Sequence, residues 1–521
     1  MNDTVRITSD NAAKTPSAVY AESAAVQTDS QADKKKSGFR AGDTAAALAS
    51  LLLGWLFCRS FLFGGAALGS AVFTLAAYAL GLIWLKRADR FTAKSVVISL
   101  PLPVYAAAML TNANETMRYF AGFCAMIYYV VWLAAAFSAE KHDDAVKAKT
   151  TLKALFFSPY SRFGRIFGAI SEAGRGQLRI VGAAAAGLLA ALIPLYFVTT
   201  QLIGADDRFG SLVEIFFTGI SERAIITTIS LMFGIPVAMY IFGLLFSTRE
   251  GILVSNKPGK TLPAVFGVFL CAPVLLVYLV FFATQIPYYL SAFGGHLPEG
   301  YSMSSYAVKG FFELTRVSAL NGLLCLVLLK TDASTKASAI TRRLLVTLLG
   351  VSALLLLATA ASKLYLYTDS YGLTRRRVYA AYAMVFIAAV FVAVLLRQYI
   401  SRIDLFSAAV AIAVVISFAA VLPDIDGIIA KSQVNRCIEG KQTELYELDS
   451  LSDSPNVERE LLRLYSAPQI NGSLREDCRG CLERRSERLG DTTGVSYIYN
   501  FNVSEEISLN LLRENGFCSP L

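Results

Sequence analysis

Residues 344–366 read LLVTLLGVSALLLLATAASKLYL, and no charged side chain occurs between Arg343 and Lys363. An apolar run of this length can cross the roughly 30 Å hydrocarbon core of a bilayer as one helix. Similar runs recur along the 521 residues, of which 55% are hydrophobic and 17% charged. A soluble domain averages about 25% charged residues, so the composition excludes an ordinary cytosolic enzyme, a coiled coil and a disordered chain. The sequence predicts an all-α fold, a polytopic transmembrane helical bundle.

The apolar runs predict about eleven spans, and the loops between them predict a direction. The spans are placed at residues 44–63, 66–85, 95–111, 119–138, 180–203, 224–246, 262–285, 311–329, 344–366, 379–396 and 404–422. Pro101 and Pro103 interrupt the third run, which leaves the count open by one. With the N-terminus inside, Lys and Arg are concentrated in the cytoplasmic loops, as the positive-inside rule requires, except at the last outer loop. We therefore expect an N-in/C-out protein of the cytoplasmic membrane.

Charge and composition divide the chain into three parts. Residues 1–42 are polar and mixed, which predicts a disordered cytoplasmic tail, and residues 43–422 hold the spans. Residues 423–521 carry 11 basic and 17 acidic side chains, a net charge of −6, whereas the whole chain carries +9. Ser454 before Pro455, and Ser504 further on, are typical helix N-caps. This last segment is predicted to be a small, mostly helical extracytoplasmic domain.

Four of the eight cysteines lie in the C-terminal segment: Cys437, Cys478, Cys481 and Cys518. An even number outside the membrane predicts disulfide bonds. Cys478 and Cys481 are three residues apart on a predicted helix, where Cβ atoms lie about 5–6 Å apart, further than the roughly 3.5–4.5 Å that a disulfide needs. We expect each of them to bridge to Cys437 or Cys518, with the pairing open. A zinc site is the alternative, but the spacing matches no usual finger and the segment has no histidine.

The sequence contains no motif that indicates a reaction. It has no P-loop and no Gly-x-Ser-x-Gly elbow, and His142 and His296 lie in loops on opposite sides of the predicted membrane. The first outer loop has no carboxylate, which disfavours an enzyme acting on lipid-linked substrates. We expect no cofactor, no metal and no nucleic-acid partner. Whether the protein is an enzyme stays open, with the balance against it.

Polar side chains near the outer ends of spans eight to ten form a candidate polar network or anion site. They are Glu313, Arg316, Lys363, Thr374, Arg375, Arg376 and Arg377. Charged groups at membrane depth are costly unless they are paired or functional. Glu313 and Arg316 can pair on one helix face, and Lys363 can instead snorkel within an aromatic belt. The arginines either contact lipid phosphates or meet Glu313 or an acidic residue of the C-terminal domain, such as Asp424 or Asp426.

One inner segment is amphipathic. Phe163, Ile166, Phe167 and Ile170 share one helical face beside basic residues. This pattern is typical of a helix that lies along the bilayer surface or of a helix that packs on the bundle.

Two short motifs, and the segment that follows the last predicted span, resemble those of a known family. The motifs are YAVKGFFEL at 306–314 and YGLTRRR at 371–377, and the segment runs from DIDGIIA at 424–430 to YELDSLS at 446–452. The chain resembles, over roughly residues 180–465, the bacterial polytopic membrane proteins classed as "domain of unknown function 4173", which are related to 4153. The resemblance implies a polytopic fold and marks Glu313, Thr374 and Arg377 as positions to test. It implies no reaction.

Two classes of function stay open. The first is a non-enzymatic integral membrane protein that presents its C-terminal domain outside for envelope-related interaction or sensing. The second is a transporter or lipid-handling protein that binds an anionic ligand at the outer side of spans eight to ten. The expected partners are the lipid bilayer and either an anionic lipid or an envelope component. No inverted repeat is apparent, which weighs against a secondary carrier.

Overall fold

The fold is all helical in the part of the chain that the computed structural model describes. The described residues are 39–40, 42–137, 144–173, 194, 197–206, 208–209, 222–250, 261–293, 311–400, 402–442, 445–490 and 500–517. Most of the predicted tail at 1–42, most of the predicted span at 180–203, and His142, His296 and Cys518 lie outside these residues.

Nineteen helices within the described ranges are named here in chain order. They are α1 (Asp43–Phe61), α2 (Leu68–Arg87), α3 (Ala93–Ser99), α4 (Pro101–Thr111), α5 (Glu115–Phe137), α6 (Asp144–Phe156), α7 (Ser158–Ser161), α8 (Arg165–Ala173), α9 (Glu222–Arg249), α10 (Ala264–Phe293), α11 (Phe311–Leu328), α12 (Lys336–Tyr371), α13 (Arg375–Tyr399), α14 (Leu405–Val421), α15 (Ile425–Ile438), α16 (Tyr446–Asp449), α17 (Pro455–Tyr465), α18 (Gly472–Gly490) and α19 (Val503–Glu514).

Eight helical segments of the described residues are long and apolar enough to cross a membrane, with α3 and α4 taken together as one segment, Ala93–Thr111. They coincide with the predicted spans at 44–63, 66–85, 95–111, 119–138, 224–246, 262–285, 344–366 and 379–396. Helix α11 is not among them, and α14 qualifies only together with α15, across a bend of 52°. The 17 residues of α14 cover only about 26 Å at 1.5 Å per residue. The expected count of about eleven spans is therefore not confirmed.

The bundle has two apolar cores. The first joins α1, α2, α4, α5 and α9, the second joins α10 to α13, and α14 packs against both α5 and α13. Helices α1 and α9 cross at Gly54 and Gly234, where a Cβ atom on Gly54 would lie 2.0 Å from the Gly234 carbonyl oxygen. Glycine at such a crossing lets two backbones touch, which favours helix association in membranes.

The amphipathic inner segment packs on the bundle. Ile166 is fully buried, and Thr44 Oγ1 on α1 donates a hydrogen bond of 2.7 Å to the Ala169 carbonyl. Of the two interpretations of this segment, the structure favours a helix packed on the bundle over a helix in the bilayer surface.

Helices α15 to α19 share an apolar core of their own, and we call them the cap, whose described residues are 425–442, 445–490 and 500–517. Its core contains the fully buried side chains of Ile429, Val434, Leu461 and Leu512. As predicted, Ser454 is the N-cap of α17 and accepts a hydrogen bond from Val457 N. The N-cap of α19 is Asn502, because its side chain accepts from two backbone amides of the first turn, so the prediction of Ser504 is wrong.

The length of α12 relates the cap to the membrane. Its 36 residues extend for about 54 Å at 1.5 Å per residue. The interval from Arg343 to Lys363 takes up roughly 30 Å of that length, which matches the thickness of the hydrocarbon core. The final turns, up to Tyr371, extend beyond that interval to the level of the cap, where Arg436 donates to the Asp369 and Ser370 carbonyls.

The cysteines of the cap do not support the predicted disulfides. Cys437, Cys478 and Cys481 all carry free thiols. The Cys478 thiol donates to the Leu461 carbonyl at 3.3 Å, and the Cys481 thiol donates to Asp449 Oδ1 at 3.2 Å. Burial raises the pKa of both thiols to about 12, so they stay protonated and unreactive. Because Cys518 lies outside the described residues, a bridge through it stays a prediction.

Candidate functional site

The cap rests on one end of the bundle, where several helix ends meet. Leu68 N at the start of α2 donates to the Phe501 carbonyl at 3.2 Å. Asn502 Nδ2 donates to the Asn112 carbonyl at 2.9 Å, and Asn112 Nδ2 donates to the Val421 carbonyl at 2.8 Å. These contacts join α2, α4, α14 and the start of α19 at one place, which we call the junction.

Asp426 is the centre of the junction, because its fully buried carboxylate accepts hydrogen bonds from three parts of the chain. Arg375 on α13 binds it with two nitrogens, Nε to Oδ1 at 2.9 Å and Nη2 to Oδ2 at 2.5 Å. Asn114 Nδ2 and Ser452 N each reach Oδ2 at 3.0 Å, and the Ser452 hydroxyl donates as well. Bidentate arginine–carboxylate pairs are among the stronger hydrogen-bonded contacts in proteins.

The pKa of Asp426 follows from these contacts. Burial alone would raise it, but hydrogen bonds and charge from Arg375, with further hydrogen bonds from Ser452, outweigh burial and hold the pKa below its usual value. Asp426 is therefore ionised at neutral pH. A buried charge is tolerated only when it is paired and hydrogen-bonded, and this one is both.

A second ion pair joins the bundle to the cap. Arg118 on α5 is almost completely buried, and its Nη1 lies 2.6 Å from Oε1 of Glu505 on α19. Its Nε donates to the Gly65 carbonyl at 3.0 Å. This hydrogen bond also stabilises the turn between α1 and α2. Burial of Glu505, with repulsion from the nearby Asp453 carboxylate, raises the pKa of Glu505 although Arg118 opposes the shift.

A buried pair inside the cap positions the segment that reaches Asp426. Arg485 and Glu458 are fully buried, with Nε 2.8 Å from Oε1. The remaining nitrogens of Arg485 bind the Leu451 carbonyl, the Ser452 carbonyl and the Asp453 carboxylate. Arg485 thus fixes the backbone that presents Ser452. Burial raises the pKa of Glu458 to about 7, and Arg485 only partly offsets this effect.

A polar cleft of about 310 Å³ opens at the junction, between the bundle and the cap. It is lined by Ala113, Asn114, Glu115, Thr116, Arg118, Arg375, Ser450, Leu451, Ser452, Asp453 and Glu505. Both the Asp426 contacts and the Arg118–Glu505 pair border this space. Among the described residues, no group of three or more His, Cys, Asp or Glu side chains is arranged to hold a metal ion.

The structure divides the predicted network between two places. Arg375 lies at the junction, bound to Asp426, and Thr374 is the N-cap residue of α13, although its side chain makes no capping hydrogen bond. The Arg377 guanidinium stacks 3.9 Å from the centre of the Tyr367 ring and donates to the Gly372 carbonyl. Arg376 is exposed.

The other three predicted residues lie on α11 and α12, away from the junction. Glu313 and Arg316 are exposed, and no ion pair joins them although the structure describes both. Lys363 is half-buried and interacts electrostatically with Glu313.

Sequence reasoning missed four residues of the junction: Asn114, Arg118, Ser452 and Glu505. Asn114 and Arg118 flank the start of a predicted span, where polar residues are typical of an exposed loop. Ser452 falls within the YELDSLS motif at 446–452, which was the only available signal. Glu505 looks like an acidic residue in the first turn of a helix, which interacts favourably with the helix dipole without any partner.

Apolar helices in two packed cores and a helical cap define a polytopic α-helical membrane protein. More particularly, the chain belongs to the family described as Domain of unknown function (DUF4153), whose sequence profile matches residues 100–459. The match includes Arg375 and Asp426 and ends before Glu505. It does not confirm the narrower resemblance to domain 4173. No curated protein and no solved structure matches the chain.

Proposed function

We propose that this protein is a non-enzymatic integral protein of the cytoplasmic membrane that works through its cap, on the outer side, in envelope-related interaction or sensing. The observation that carries the proposal is the contact of Asp426 with α13, with the α4–α5 loop and with Ser452 of the cap. Because one carboxylate ties these three segments together, a change at the cap surface has a direct physical connection to the spans.

The side proposed for the cap is supported by the distribution of basic residues. The opposite end of the bundle carries Lys147, Arg162, Arg165 and Arg249, each in an ion pair, and further lysines and arginines lie in the loops at that end. The positive-inside rule assigns such an end to the cytoplasm. The junction, at the other end, then faces the outside of the cell.

The ion pairs also weigh against a site for a purely anionic ligand at the arginine cluster. Arg375 is neutralised by Asp426, and Arg377 is held by Tyr367 and by a backbone carbonyl. Of the three arginines, Arg376 alone is exposed, and an exposed arginine at this height suits a lipid phosphate. A transporter with an anionic ligand here has less support than a cap-based function.

Crosslinking from the cap surface tests the proposal. A photoreactive amino acid replaces Tyr446, which is 79% exposed on the cap, and in a matched variant it replaces Tyr365, which is 72% exposed on α12 at the apolar boundary. In intact cells that produce the full chain, we expect a discrete adduct with an envelope component from position 446 and lipid adducts from position 365. If position 446 yields no adduct beyond those of position 365, the proposed function is wrong.

A further inference from the structure

We infer that the cleft at the junction is a binding site for a small bipolar molecule, one that carries a cationic and an anionic group, such as an α-amino acid or a phosphoethanolamine group. This inference deepens the proposed function and rests on it, because a ligand in this cleft contacts the bundle and the cap at once. It would supply the signal that a sensing protein needs.

The size and the walls of the cleft suit a small polar ligand. Its volume of about 310 Å³ lies at the lower end of the range for small-molecule sites, roughly 300–1,000 Å³. One wall comes from the α4–α5 loop, α5 and α13, and the other comes from residues 450–453 and 505 of the cap. Because almost all the lining side chains are polar, the cleft favours a hydrophilic molecule.

Two arginines of the lining each keep one terminal nitrogen available. Arg375 uses Nε and Nη2 for Asp426, and its Nη1 makes no hydrogen bond with the described residues. Arg118 uses Nε and Nη1 for Gly65, Glu505 and neighbouring carbonyls. Its Nη2 likewise makes no hydrogen bond with the described residues. Each available nitrogen is a charged N–H donor, and charged donors make the stronger hydrogen bonds to carboxylate and phosphate oxygens. This wall therefore suits the anionic group of a ligand.

One carboxylate of the lining is also available. Glu115, in the first turn of α5, is exposed and makes no hydrogen bond or ion pair with any residue that the structure describes. The other charged groups of the lining are paired: Arg375 with Asp426, Arg118 with Glu505, and Asp453 with Arg485 and Arg488. Glu115 therefore supplies the uncompensated negative charge of the cleft. An ammonium group is the natural complement to this carboxylate.

The two sets of available groups belong to one cleft, and this juxtaposition decides the ligand class. A purely anionic ligand would face Glu115 without compensation, and a purely cationic ligand would leave the guanidinium nitrogens unused. A bipolar ligand meets both. The charge-assisted hydrogen bonds that it gains are the stronger kind.

Titration calorimetry on the full-length protein in nanodiscs tests the inference. The probes are L-alanine and phosphoethanolamine, which are bipolar, together with ethanolamine as the cation alone, and acetate and inorganic phosphate as the anions alone. We expect one bipolar probe to bind at least about tenfold more tightly than every single-charge probe. The bipolar probe that binds distinguishes an amino acid from a lipid headgroup as the source of the ligand.

Substitutions of two glutamates complete the test. Glu115→Gln should weaken the bipolar probe by about tenfold and leave the thermal midpoint of the protein unchanged, because the side chain is exposed and unpaired. Glu506→Gln, the same change in the first turn of α19 but outside the cleft, should leave binding unchanged. The inference is overturned if neither bipolar probe binds at about 10 mM, if a single-charge probe binds as well, or if both variants behave alike. Such a failure would leave the crosslinking from position 446 intact, so it is distinguishable from failure of the proposed function.

Discussion

Replacing Asp426 with asparagine tests whether this carboxylate holds the cap on the bundle. Asparagine keeps the volume and one oxygen acceptor, so Ser452 and Asn114 can retain a partner, but the Arg375 charge loses its counter-ion. Breaking a buried ion pair by removing one partner costs about 3–5 kcal/mol. Because the Arg375 side chain is 31% exposed, water can solvate it in part, and we expect the lower end, about 3 kcal/mol.

In thermal terms this loss is large. For a domain of this size, 1 kcal/mol corresponds to about 4–8 °C in the unfolding midpoint, so the cap should melt at least about 12 °C lower. The buried thiols of Cys478 and Cys481 report the transition, since a maleimide labels them only when the cap opens, and mass spectrometry identifies the labelled site. Glu460→Gln, which removes a surface pair with Arg463, is the control and should cost less than about 1 kcal/mol. A shift for Asp426→Asn no larger than that of the control would refute the role given to Asp426.

A double-mutant cycle separates the pair from its surroundings. If Arg375 and Asp426 act as a pair, adding Arg375→Gln to Asp426→Asn should cost less than the sum of the two single changes, with a coupling energy of about 0.5–3 kcal/mol. Additive losses would instead mean that each residue acts through other neighbours.

The remaining predictions concern other parts of the fold. Gly54→Leu should abolish the monodisperse peak of the detergent-solubilised protein in size-exclusion chromatography, because the leucine Cβ has no room at the α1–α9 crossing. Gly164→Leu is the control and should be tolerated, since a new Cβ at Gly164 has no heavy atom within 4 Å. The raised pKa of Glu458, about 7, means that the folded cap prefers the protonated form. The contribution of Glu458 to the stability of the cap is therefore fully present below the usual pKa of about 4.3 and is lost as pH rises through 7. Glu458→Gln should flatten the pH dependence of the thiol-labelling midpoint over that window. An unchanged slope would contradict the raised pKa of Glu458. Non-reducing mass mapping should find Cys437, Cys478 and Cys481 unpaired with one another, and reductant should leave the cap midpoint unchanged; a bridge between any two of them would contradict the free thiols. Arg376→Ala should leave the cap midpoint unchanged, whereas Arg375→Ala should lower it, and equal losses would contradict the division of the arginine cluster.

Local sequence patterns predicted the structure correctly where the interactions that determine it lie within one segment. The run at 344–366 lies inside α12 because apolar side chains of that length have no other stable environment than a bilayer or a large core. The N-cap at Ser454 was predictable because its acceptor and its donor lie three residues apart. Asp426 as a partner for the arginines was among the options, since an outer acidic residue beside an arginine cluster is a natural counter-ion.

Long-range contacts could not be predicted from the sequence. Arg118 and Glu505 are separated by 387 positions, and neither has a neighbour that signals the other. The disulfide prediction failed among the described cysteines because an even number of residues says nothing about packing. The thiols of Cys478 and Cys481 donate hydrogen bonds to acceptors within the cap instead. The last predicted span, at 404–422, is not confirmed as a span of its own, because α14 meets the length and hydropathy requirements only together with α15, across a bend of 52°.

We propose that the cap sits on the outer end of the membrane-embedded bundle. A membrane-impermeant maleimide, applied to intact spheroplasts that produce full-length protein with Tyr446→Cys, tests it most directly, because that position is highly exposed on the cap. Tyr399→Cys, 67% exposed at the opposite end of α13, is the matched control. We expect labelling at position 446 without permeabilisation and labelling at position 399 only after permeabilisation. The reverse pattern would place the cap in the cytoplasm and contradict the proposed orientation.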